Sequence, residues 1–135
     1  MSKIFIDTNI FVYASDQNNP QKQMVAQDLL CNINNGVIST QVLQEFYAVA
    51  TRKLSITPVK ARQIIKTFEK FEITPITLTL VHEAINLNIL DQIQFWDALI
   101  IAAASAANCF EVLTEDLNEG QIIAGVRVVN PFMRH

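Results

Sequence analysis

Apolar and polar positions fall in blocks along the chain, and the spacing inside each block separates strands from helices. Ile4-Phe5-Ile6 is an unbroken apolar run of β-branched and aromatic residues, the pattern of a strand buried on both faces. It stops at Asp7, and Thr8 and Asn9 then lead into a short helical turn expected from Asn9 to Ala14. A polar loop from Asp16 to Gln21 contains Pro20. Met24, Val25, Leu29, Leu30 and Ile33 then recur at helical spacing up to Asn34, with Gly36 expected to end that helix in the left-handed conformation. Val37-Ile38-Ser39 reads as a second strand, and Ser39 or Thr40 as the cap of the next helix.

That helix is predicted from about Gln41 to Lys53. Val42, Leu43, Phe46, Tyr47, Val49 and Ala50 form one broad apolar face, with Glu45 on its border and Arg52 further along the same edge. Pro58 opens another helix carrying Val59, Ile64, Ile65, Phe68 and Phe71, while Arg62, Lys66 and Lys70 make a basic stripe along it. Phe71 to Ile76 reads as an edge strand, because Pro75 cannot donate to a ladder. Thr77 or Thr79 caps a helix through Leu87. The run from Phe95 to Ala107 is apolar on every side, with Asp97 its one charge, as in a helix packed centrally against a sheet. Phe95 and Trp96 at its head are expected to pack inside. Asn108 ends it, and strands follow at Phe110–Thr114 and Val126–Val129. Strands alternating with helices predict an α/β fold: one three-layer α/β/α domain over residues 1–135, with a central parallel sheet of four to five strands.

Composition narrows the picture. Of 135 residues half are hydrophobic and 17% charged, which excludes a mainly disordered chain. The longest apolar run is too short to span a bilayer and no export leader is visible, so a cytoplasmic protein without membrane attachment is expected. Cys31 and Cys109 lie in apolar patterns without metal-binding spacing, as reduced core cysteines do. The net charge of −3 argues against a module that grips nucleic acid through phosphates alone. It is compatible with acids that hold a divalent metal against a phosphate.

Four of the thirteen acids occupy special places. Asp7 and Asp116 each follow a strand, Asp97 opens the most apolar helix, and Glu45 lies in the first half of a helix. In a right-handed α/β winding, strand C-termini and the starts of the following helices share one edge of the sheet, so the four can converge. Clustered carboxylates repel one another unless a cation joins them, and Mg²⁺ or Mn²⁺ suits such hard oxygen ligands. No histidine stands near these positions: His82 is mid-helix and His135 is the last residue, which speaks against zinc and a histidine base.

Ile6-Asp7-Thr8-Asn9, Val42-Leu43-Gln44-Glu45-Phe46, Phe95-Trp96-Asp97-Ala98-Leu99-Ile100 and Leu113-Thr114-Glu115-Asp116 resemble, in order, the four motifs of the PIN domain. Length and the ending Val128-Val129-Asn130-Pro131-Phe132 are similar to those of VapC-type toxins of toxin–antitoxin pairs. The resemblance implies a PIN-like nuclease domain: a Mg²⁺- or Mn²⁺-dependent endoribonuclease, commonly a homodimer, with RNA as substrate and a cognate antitoxin as partner. By position, Asp7, Glu45, Asp97 and Asp116 would form the catalytic quartet. Asp7 and Asp97 would ligate the metal directly, and Glu45 and Asp116 secondarily or through water. Thr8, Asn9 and Thr114 would support the site. Glu115 departs from the small or polar residue common at its place. Arg52, Lys53, Arg62, Lys66 and Lys70 are candidate contacts to RNA or antitoxin. Two other classes stay open: a catalytically silent binding module on the same fold, and an aspartyl phosphoryl-transfer protein with Asp7 as nucleophile.

Overall fold

The computed structural model describes residues 2–133. Helix pairs separate its first four strands, and two further strands close the chain: β1 (Lys3–Ile6), α1 (Thr8–Ala14), α2 (Pro20–Asn32), β2 (Gly36–Ser39), α3 (Thr40–Arg52), α4 (Pro58–Thr67), β3 (Glu72–Thr74), α5 (Leu78–Asp91), α6 (Phe95–Ala106), β4 (Cys109–Leu113), β5 (Ile122–Ile123) and β6 (Val126–Val129). The strands form one sheet in the order β3-β2-β1-β4-β6-β5, parallel except for the two-residue β5, which pairs antiparallel with β6. That short hairpin partner is the strand beyond the expected four to five, and two isolated isoleucines leave almost no pattern to read.

The chain steps from β1 outward to β2 and β3, then crosses back to β4 on the other side of β1. With right-handed crossovers, this reversal places α1–α4 on one face and α5–α6 on the other. Accordingly α1 packs on α2 and α3, α3 on α4, and α5 on α6, while α6 also lies against β2, β4 and β6. Residues 98–104 of α6 are all buried, four of the seven being alanine, so the helix approaches the sheet closely. On the opposite face Phe11, Phe46, Phe68 and Phe71 stack with ring centroids 4.3–5.9 Å apart. This aromatic cluster fixes α1 against α3.

Helix ends follow local chemistry. Thr57 accepts from Lys60 N and Thr77 from Leu80 N, Pro58 sits in the first turn of α4, and Asn108 ends the α6 region at φ 63°. Three expectations need correction. Gly36 is the first residue of β2 and does not adopt the left-handed conformation. Its lack of a side chain serves packing instead, since a Cβ there would lie 2.7 Å from Phe71 Cδ1 and 2.9 Å from Ile6 Cδ1. Cys31 is exposed, because among the residues of α2 only Ala26 is buried; Cys109 is in the core. Trp96 is 54% exposed, in the first turn of α6 ahead of the buried run that begins at Ala98. Ser39 occupies the N-cap position of α3 without a capping side-chain bond, and Thr40 Oγ1 accepts from Ile76 N instead. Among the described residues, no single helix is long and apolar enough to cross a membrane.

Candidate functional site

β1 and β4 are neighbours at the point where the winding reverses, and the crevice beyond their C-terminal ends is where open α/β sheets bind ligands. Asp7 leaves β1 there as the N-cap of α1. Its Oδ1 accepts from Thr8 N at 2.6 Å and its Oδ2 from Thr114 Oγ1 at 2.7 Å. Thr114 Oγ1 in turn accepts from Asp116 N at 3.1 Å, so the turn after β4 is tied to the acid after β1. Asp97 stands in the first turn of α6, whose N-terminus is capped by Gln94 Oε1 accepting from Asp97 N at 3.2 Å. Carboxylate oxygens of Asp7, Asp97 and Asp116 lie within 4.8 Å of one another. Glu45 stands outside this trio and is linked to it through Thr8, whose Oγ1 donates to Glu45 Oε1 at 2.7 Å while its N donates to Asp7.

The acids pay an electrostatic penalty for convergence. Burial pushes the Asp7 carboxyl up to about 7, against the hydrogen bonds from Thr114 and Thr8 and with the repulsion of Asp116 and Glu45. Partial burial, then Asp116 and Glu45, raise Asp97 to about 6. Asp116 is shifted upward by desolvation and by Glu115, with Asn9 opposing. Both polar atoms of the Asn9 side chain are buried without a hydrogen bond of normal length. An all-oxygen donor set that resists ionisation, beside the buried and unpaired Asn9 Oδ1, fits a hard divalent cation. His82 is exposed on α5, no histidine lines this region among the described residues, and His135 lies outside them.

The sequence profile described as PIN domain matches residues 4–119. The chain belongs to the PIN domain family. No curated protein sequence matches it. Solved structures do. A toxin–antitoxin complex from Klebsiella pneumoniae aligns at 23% identity and TM-score 0.69, over 97% of this chain and 98% of that one. A DNA-bound VapBC from Salmonella typhimurium aligns at 21% identity and TM-score 0.68, over 95% and 97%. VapC20 of Mycobacterium tuberculosis, a sarcin–ricin-loop-cleaving toxin, aligns at 16% and TM-score 0.67, over 82% and 87%.

In this PIN domain the acids line a cleft of about 470 Å³. Gln41, which sequence reasoning passed over, is the hinge of its wall. Only 3% exposed, it donates from Nε2 to Glu45 Oε2 at 3.3 Å and to the Trp96 carbonyl at 3.1 Å, joining α3 to the start of α6. Two acceptors on Nε2 fix the amide orientation and leave Oε1 buried without a partner. The one available signal was its four-residue spacing from Glu45. Glu115 also lines the cleft, but Tyr13 Oη donates to its Oε1 at 2.5 Å and Lys22 pairs with its Oε2. Partial burial would raise Glu115, yet the Lys22 and Tyr13 hydrogen bonds outweigh it and hold the carboxyl below its ordinary range. Its oxygens are thereby engaged away from the trio. Of the basic candidates, Lys53 lines the cleft; Arg52, Arg62, Lys66 and Lys70 are exposed and stand outside its lining. Lys70 instead donates to the Leu30 carbonyl at 3.3 Å.

Proposed function

We propose that this PIN domain is a Mg²⁺- or Mn²⁺-dependent endoribonuclease and the toxin of a toxin–antitoxin pair, acting as a homodimer. The single observation that carries the chemistry is the convergence of Asp7, Asp97 and Asp116 within 4.8 Å. Asp7, Asp97 and Asp116 would hold the cation, which when bound supplies Lewis acidity toward a phosphoryl oxygen and lowers the pKa of water. Each Asp7 oxygen uses one lone pair on Thr8 N or Thr114 Oγ1 and keeps another for a ligand, so the two threonines orient the carboxylate without consuming it. Glu45 Oε1, which accepts from Thr8 Oγ1, would take the proton of the water whose oxygen bonds to the scissile phosphorus, while the bond from phosphorus to the strand's sugar oxygen breaks and that oxygen takes up a proton from solvent. Likeness to toxin–antitoxin assemblies along nearly the whole chain supports an antitoxin as partner.

Purified protein is expected to cleave RNA only with Mg²⁺ or Mn²⁺ present, and Asp7→Asn or Asp97→Asn to abolish cleavage while circular dichroism reports an intact fold. Undiminished cleavage by folded variants would reject the assignment.

A further inference from the structure

We propose that the end of the cleft away from the acids is a nucleoside subsite. There Val12, Ala48 and Val49 receive the base of the RNA residue next to the scissile phosphate, and Lys53 binds the phosphate beyond it. The inference rests on the ribonuclease reading and adds where the substrate lies. A volume of about 470 Å³ is that of a small-molecule site, more than a cation and one phosphate would occupy. Asp7, Thr8, Glu45, Asp97 and Asp116 line it together with Val12, Ala48, Val49 and Lys53.

Glu45, Val49 and Lys53 recur every four residues and therefore share a face of α3, with Lys53 about 12 Å along the axis from Glu45. Val12 comes from α1, which packs against α3. All three apolar side chains are half-buried and border the cleft, so they present apolar surface beside the acids. Lys53 is exposed at the end of α3 and is the one basic residue on the lining among the described residues. An anionic strand is repelled by an acidic mouth. A cation at the far end of an apolar wall offers it one phosphate contact and one base contact, and only an unpaired base can reach such a wall.

Binding is tested by anisotropy with a labelled single-stranded RNA oligonucleotide, in full-length protein carrying Asp97→Asn to stop cleavage. Adding Lys53→Gln should lower the slope of log affinity against log salt by about 0.7, the loss of one single-strand phosphate contact. With the wall unaltered, one abasic ribose in the oligonucleotide should weaken binding about tenfold. Ala48→Leu, which fills the wall, should remove most of that difference. An unchanged salt slope in Lys53→Gln, or indifference to an abasic ribose at every position, overturns the subsite. RNA left intact by the parent protein with Mn²⁺ sinks the ribonuclease reading instead, whatever the binding data show.

Discussion

Asp7 illustrates how one residue serves fold and site at once. It caps α1 through Thr8 N, accepts from Thr114 across the sheet, and meets Asp97 and Asp116. Gln41 acts at the same scale by another route, holding Glu45 at a set distance from the α6 start through two bonds from one nitrogen. Gln41→Ala would leave the Trp96 carbonyl and Glu45 short of a donor, at a stability cost of roughly 1–3 kcal/mol. If it also sets the geometry, kcat should fall roughly tenfold to a hundredfold in the folded protein. Urea unfolding and steady-state RNA cleavage, measured together, separate the two effects. A loss of stability with kcat unchanged would make Gln41 a packing residue only.

Among elements, β2 and the turn leading into β3 fit tightly at Gly36. Gly36 lets the Phe71 ring lie against the strand, and Phe71 in turn contacts Phe11 of α1. Gly36→Ala forces that ring or Ile6 to move, which should cost roughly 1–3 kcal/mol through overpacking. Chemical denaturation would show it as a lower midpoint with unchanged slope. Because β2 also delivers α3 and Glu45, the same substitution tests how far strain at one end of the sheet reaches the cleft.

For the whole molecule, the fold gathers acids at the price of their charge. Asp7 near 7 and Asp97 near 6 both exceed the ordinary 3.8, so the folded state prefers their protonated forms. Their favourable contribution is complete below about pH 4 and is lost as pH rises through about 6 to 7. The metal-free protein should therefore show a falling Tm across that window. Mn²⁺ should raise Tm more above pH 7 than at pH 5, since the cation competes with protons for the same oxygens. Thermal melts with and without Mn²⁺ measure this, and an identical metal effect at both pH values would contradict the trio as the binding site.

The amino-acid sequence by itself determined the alternation of strands and helices, the strand-end places of Asp7 and Asp116, and Asp97 as the lone charge opening an apolar helix. These are local patterns, set by side-chain periodicity and capping. The same local logic failed at Gly36, Cys31 and Trp96, where the outcome depends on what packs opposite. Only the tertiary structure decided that three carboxylates meet while Glu45 is tied to them through Thr8, that Gln41 joins two helices, and that Lys22 and Tyr13 occupy Glu115. Each of those contacts joins residues brought together by the sheet's reversal and the packing of α3 against α1. No spacing along a single chain encodes such distances.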